Sequence, residues 1–124
     1  MNKFEVLFYE TLEGEKPIEV FLDSLDTKMR AKILGLLEIL EEKGNSLREP
    51  YSKPLGDDIF ELRCQMVRNI TRVLYFFYYN RQIILTNGFV KKTRKTPKEV
   101  IILAKKRRLD FLERMKKNEK LKSI

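Results

Sequence analysis

The chain has 124 residues and carries 26 Lys and Arg against 18 Asp and Glu, a net charge of +8. That length fits one domain, expected to span residues 1–124, and 43% hydrophobic residues suffice for a packed core. It contains no His and a single Cys, Cys64, so a Ser-His-Asp triad, a Cys-His pair, a His-ligated zinc site and an internal disulfide are all excluded within one chain.

Phe4, Val6 and Phe8 alternate with Glu5, Leu7 and Tyr9, which predicts a first strand over residues 3–9. Pro17 then opens a short helix over residues 17–24, with Ile18, Phe21, Leu22 and Leu25 at helical spacing. Asp26 is the expected N-cap of a second helix, whose apolar stripe is Met29, Ile33, Leu36, Leu37 and Leu40 and whose end is Gly44. Residues 45–57, with two prolines and a glycine, read as irregular. A strand follows over residues 58–64, then a long apolar run over residues 69–79 that fits a central strand buried on both faces. Asn80-Arg81 suits a tight hairpin turn, and residues 82–90 form the next strand. The last helix is expected to open at Thr96-Pro97-Lys98-Glu99, with Thr96 as N-cap and Glu99 completing a capping box. From Lys116 onward the chain is rich in Lys and is expected to fray. The order β-α-α-β-β-β-α indicates an α+β fold, a helical hairpin on a mostly antiparallel sheet of about four strands with a C-terminal helix.

The charge is uneven. Residues 1–89 carry 12 basic and 14 acidic side chains and residues 90–124 carry 14 basic and 4 acidic, a net of −2 followed by +10. Such a block is the footprint of a polyanion binder or simply a solvated basic tail. Three cations sit on strands that otherwise favour burial: Arg63, Arg72 and Lys91. Adjacent strands bring them onto one sheet face as an anion site, or each is held in an ion pair such as Arg63 with Glu61. The loop Lys91-Lys92-Thr93-Arg94-Lys95-Thr96-Pro97-Lys98 has five basic residues, no acid, and leads into a helix N-terminus, a combination suited to phosphate. Lys53 adds a cation from the proline-rich segment.

The carboxylates are scattered with no metal-loop spacing, so no cofactor or metal is expected. RNA permits metal-independent cleavage through attack of the 2′-OH on the adjacent phosphate. The protein must then align the hydroxyl, accept its proton, stabilise the added charge and protonate the leaving oxygen. Arg63 and Arg72 suit charge stabilisation, because a guanidinium forks onto phosphate and stays ionised. A Lys among other cations has a lowered pKa and can transfer protons, which makes Lys91 a candidate.

These residues also carry a family likeness. Ser52-Lys53-Pro54-Leu55-Gly56, Ile59-Phe60-Glu61-Leu62-Arg63, Thr71-Arg72-Val73-Leu74-Tyr75-Phe76 and Gly88-Phe89-Val90-Lys91-Lys92-Thr93-Arg94-Lys95-Thr96-Pro97, taken in order, resemble the phage-derived Gp49-like, HigB-type branch of the RelE/ParE toxin superfamily over roughly residues 3–115. The resemblance implies the toxin of a type II toxin–antitoxin system, an mRNA endoribonuclease working in the ribosomal A site. Arg63, Arg72, Lys91, Lys92 and Lys53 match basic positions of the family, and the basic sheet face and loop together with the resemblance make Arg63, Arg72 and Lys91 the expected catalytic residues and Lys53, Lys92, Arg94 and Lys95 the expected RNA-binding residues. The resemblance further implies a cognate antitoxin, a helix-turn-helix protein of the HigA type, which alone would contact operator DNA. Some members of the superfamily use a C-terminal His or Tyr; this chain has no His and no aromatic residue after Met115. Two other functions remain open on the residues: gyrase inhibition of the ParE kind, and non-catalytic binding of RNA or the ribosome. The lone Cys64, the acidic N-terminus without an apolar core segment and the lack of about 18 consecutive apolar residues lead to an expected cytoplasmic location without membrane association.

Overall fold

The computed structural model describes residues 3–67, 69–91 and 95–122, with Lys91 and Lys122 described by their backbone. Its elements are β1 (Glu5–Phe8), α1 (Pro17–Asp23), α2 (Thr27–Lys43), a 3-10 turn (Gly44–Ser46), β2 (Ser52–Gly56), β3 (Ile59–Met66), β4 (Asn69–Tyr78), β5 (Gln82–Lys91) and α3 (Lys98–Lys122). The fold is α+β, as expected. The sheet has five strands in the order β1-β5-β4-β3-β2, with β1 parallel to β5 and the other pairings antiparallel.

The fifth strand, β2, lies in the stretch that reads as irregular. It pairs only with β3, through Ser52↔Leu62, Lys53↔Glu61 and Pro54↔Phe60, with a register shift between Pro54 and Gly56. Proline lacks the N–H that a two-sided ladder needs, but an edge strand leaves one side unpaired. Pro54 therefore disguises the strand without preventing it.

Local chemistry accounts for the other boundaries. Asp26 caps α2, its carboxylate accepting from the Met29 amide at 2.8 Å. Gly44 ends α2 at φ 53°, and a Cβ there would lie 2.0 Å from the Phe4 ring, so the glycine is needed for both backbone and space. Asn80 and Arg81 take φ of 60° and 58°, the left-handed pair of a tight hairpin turn between β4 and β5. Helix α3 continues through Lys122, beyond the expected fraying point at Lys116. Its Lys, Glu and Leu content favours helix, and Glu113 precedes Lys117 by one turn.

Each face of the sheet has its own core. On one, α1 and α2 set Ile18, Leu22, Ile33 and Leu40 against Leu62, Val73, Tyr75, Ile83 and Leu85. On the other, Ala104 and Phe111 of α3 pack with Tyr9, Ile59, Leu74, Phe76 and Ile84. Strand β4 thus alternates between two buried faces, which is why its sequence is nearly continuously apolar. Cys64 is buried in the first core, where desolvation raises its pKa and keeps the thiol neutral. Among the described residues no helix is long and apolar enough to cross a membrane.

A polar clamp fixes α3 to the end of β1. The Tyr9 hydroxyl donates to Asp110 at 2.6 Å, and Arg114 donates to the same carboxylate at 2.7 Å. The Tyr9 hydrogen bond, assisted by Arg114, lowers the pKa of Asp110 below its ordinary 3.8. A lowered folded-state pKa stabilises the fold above the unfolded value, and that stabilisation is lost as pH falls through the folded value. Tyr9→Phe should therefore cost about 1 kcal/mol near neutral pH. The gap from the parent should narrow as pH drops below 3.8, a trend that urea unfolding near neutrality and in acid would read. A gap that widens in acid would contradict this account of the clamp.

Candidate nucleic-acid interface

On the α3 side of the sheet, one end changes from apolar to charged. The register sets Arg63 directly opposite Arg72, Gln65 opposite Ile70, and Ile70 opposite Lys91. Arg63, Arg72 and the backbone position of Lys91 therefore share one face, in line with the alternation of the strands. Two like charges directly opposite are unfavourable unless something lies between them.

That something is Glu61, two residues before Arg63 and fully buried. Its Oε1 accepts from Arg63 Nε at 2.7 Å and from Arg72 Nη1 at 3.2 Å. Its Oε2 accepts the hydroxyl of Thr96, and Thr96 Oγ in turn accepts from Arg72 Nη1 at 2.9 Å. A buried carboxylate, a buried guanidinium and a hydroxyl thus form one network, with Arg63 at its edge. The ion pair of Arg63 with Glu61 noted from sequence is present, and Arg72 is held by the same carboxylate.

The two arginines differ in what remains available. Arg72 is 1% exposed and forms part of the cleft floor. The Arg63 side chain is 24% exposed. With Nε committed to Glu61, its two terminal nitrogens have no protein partner among the described residues, and Arg63 lines the cleft. Glu61 offsets one of the two guanidinium charges, so the cluster keeps a net positive charge for an incoming anion.

The cleft has a volume of about 640 Å³. Among the described residues its cations are Lys32, Lys53, Arg63, Arg72 and Lys95, and none of its described lining residues is acidic. Lys53 reaches it because β2 sets Lys53 opposite Glu61. Lys95 is exposed at its rim. The side chain of Lys91 and the whole of Lys92 and Arg94 lie outside the described residues. Among the described residues, no three His, Cys, Asp or Glu side chains are grouped to hold a metal ion.

Three participants went unread in the sequence. Lys32 lies on the exposed side of α2, where a basic residue carries no special signal; its ammonium donates to the Gln65 carbonyl. Tyr51 and Gln65 also line the cleft. Thr96 was read as the N-cap of α3 and is not: the helix begins at Lys98, and the Pro97 carbonyl accepts from the Val100 and Ile101 amides at 3.1 and 3.3 Å. Its hydroxyl is instead drawn to Glu61, a tertiary partner that helix-start patterns do not reveal.

The same residues are matched by a family model. The family described as phage derived protein Gp49-like (DUF891) matches residues 20–109, a span that holds every residue lining the cleft. The chain belongs to the Gp49-like family. This family is of the RelE/HigB toxin type. Two relatives, each called a probable endoribonuclease HigB1, come from Mycobacterium tuberculosis strains CDC 1551 / Oshkosh and ATCC 25618 / H37Rv. Each is 31% identical to this Gp49-like chain over 94 residues, covering 76% of the chain and 73% of the relative.

Proposed function

We propose that this Gp49-like chain is the toxin of a type II toxin–antitoxin pair and an endoribonuclease that cuts mRNA in the ribosomal A site. The observation that carries this reading is the acid-free cleft with Arg63 presenting an unoccupied guanidinium edge over a buried, compensated Arg72. Family membership and the named activity of the relatives support it.

In this reading the fork of Arg63 takes the scissile phosphate, and Arg72 stabilises the charge that builds up on it. Lys53, Lys92, Arg94 and Lys95 hold the RNA backbone, and Lys32 extends that cationic wall. The 2′-OH attacks the neighbouring phosphorus, forming a 2′,3′-cyclic phosphate and releasing the 5′-oxygen as a hydroxyl. Lys91 serves in proton transfer or as a further phosphate contact. The ribosome aligns the mRNA, which matters for a site whose own acid–base groups are poorly matched to neutral pH. The protein acts in the cytoplasm, and a helix-turn-helix antitoxin neutralises it by covering the basic cleft.

Induction in growing cells tests the class of activity, with transcript ends mapped beside a plasmid supercoiling assay. Growth arrest with broken transcripts and normal supercoiling is expected. Relaxed plasmids with intact transcripts would indicate gyrase inhibition. Arrest with both intact would indicate non-catalytic ribosome binding.

A further inference from the structure

Phosphate chemistry uses only part of the cleft. Its lining also includes the apolar residues Leu36, Pro50, Tyr51 and Ile70. Tyr51 is 51% exposed, and its ring takes part in no aromatic pair among the described residues. A large aromatic ring left open beside a cation cluster is the arrangement that single-stranded nucleic acid uses, one side for the base and one for the backbone.

The backbone that carries the ring is held in place. The Tyr51 amide donates to the Arg48 carbonyl at 3.1 Å, and the Tyr51 carbonyl accepts from the Arg63 amide at 2.8 Å. One backbone hydrogen bond therefore links the residue that offers the aromatic face to the residue that offers the guanidinium fork. Few backbone torsions separate the two, so their spacing is preset before ligand arrives.

We propose that the cleft is a nucleotide subsite, in which one unstacked base lies on the Tyr51 ring against Leu36, Pro50 and Ile70 while its phosphate sits on Arg63. The proposal rests on the endoribonuclease reading for its substrate class. It goes beyond that reading by assigning base binding to Tyr51, whose role is the ring face and not the hydroxyl. Stacking needs only a π-face, so the subsite accepts every base and contributes affinity more than sequence choice.

Titration of the purified protein with adenosine 5′-monophosphate and with ribose 5-phosphate, followed by NMR, tests this. The parent should bind the nucleotide about 10- to 100-fold more tightly than the sugar phosphate. Tyr51→Phe should keep that preference, Tyr51→Ala should abolish it while retaining sugar phosphate binding, and Arg63→Ala should weaken both ligands. Equal binding of the two ligands by the parent, no binding of either, or a loss in Tyr51→Phe matching that in Tyr51→Ala would overturn the proposal. RNA cleavage is measured separately. A nucleotide preference without cleavage would leave the subsite standing and remove the endoribonuclease reading; cleavage without the preference would do the reverse.

Discussion

Replacing Glu61 with alanine should destabilise the protein by about 3–5 kcal/mol, the cost of removing one partner from a buried ion pair. The carboxylate is fully buried and is the shared acceptor for Arg63, Arg72 and Thr96. Without it, Arg72 keeps its charge at 1% exposure, directly opposite Arg63. The two guanidinium groups then face each other across β3 and β4 without the carboxylate they share. Glu61→Gln keeps the shape and two acceptor lone pairs but loses the charge, so it should fall between the parent and the alanine variant. Urea unfolding of the three proteins orders them directly. An alanine variant with the parent midpoint would mean that the network contributes nothing to the fold.

Thr96 lies two residues before α3, so its bond to Glu61 ties the start of that helix to the arginine pair. A folded Glu61→Gln protein should retain the fold better than it retains activity, because the fork of Arg63 is no longer fixed by an ion pair at Nε.

Arg63→Ala should behave in the opposite way. Arg63 lies at the edge of the network, and its loss leaves Glu61 with Arg72 and Thr96, a neutral pair with hydrogen bonds intact. Stability should change by about 1 kcal/mol or less, as for other partly exposed ion pairs. Cleavage should fall about 10²- to 10³-fold, the usual loss when one donor to a developing anion is removed. Arg63→Lys should recover little, since an ammonium cannot hold Glu61 through one nitrogen and present two others to phosphate. Single-turnover cleavage of mRNA on programmed ribosomes measures this. Full activity in a folded Arg63→Ala protein would remove Arg63 from the site.

The parts legible in the sequence are those set by local pattern. Asp26 before an apolar stripe marks the start of α2, and Asn80-Arg81 marks the β4–β5 turn. The unbroken apolar run of β4 signals its position between two cores. Strand alternation sets Arg63 with Glu61 on one side of β3 and Arg72 with Leu74 on one side of β4, and the β3–β4 register makes these a common face. What escaped depends on contacts distant in sequence. Strand β2 was hidden by Pro54, which only an edge position tolerates. Thr96 has every local mark of an N-cap, yet Glu61, thirty-five positions earlier, takes its hydroxyl. Lys32 and Tyr51 look ordinary in the chain and enter the site only because α2 and the segment before β2 meet at the end of β3.

The basic block at the C-terminus also divides. Lys95 borders the cleft, whereas Lys105 and Arg108 of α3 pair with Asp57 and Asp58 across the surface, and Arg107 donates to the Thr86 carbonyl at 2.9 Å. Much of the positive charge on the first half of α3 is therefore occupied with holding that helix to the sheet.

The chemical identity of the RNA ends tests the central claim most directly. Transcripts from cells producing the parent protein and Arg63→Ala can be compared by end-specific ligation, with and without prior phosphorylation of 5′-hydroxyls. New ends carrying 5′-hydroxyl and 2′,3′-cyclic phosphate are expected in the parent, with their near absence in the variant. Ends carrying 5′-phosphate and 3′-hydroxyl, or equal cleavage by both proteins, would contradict the claim.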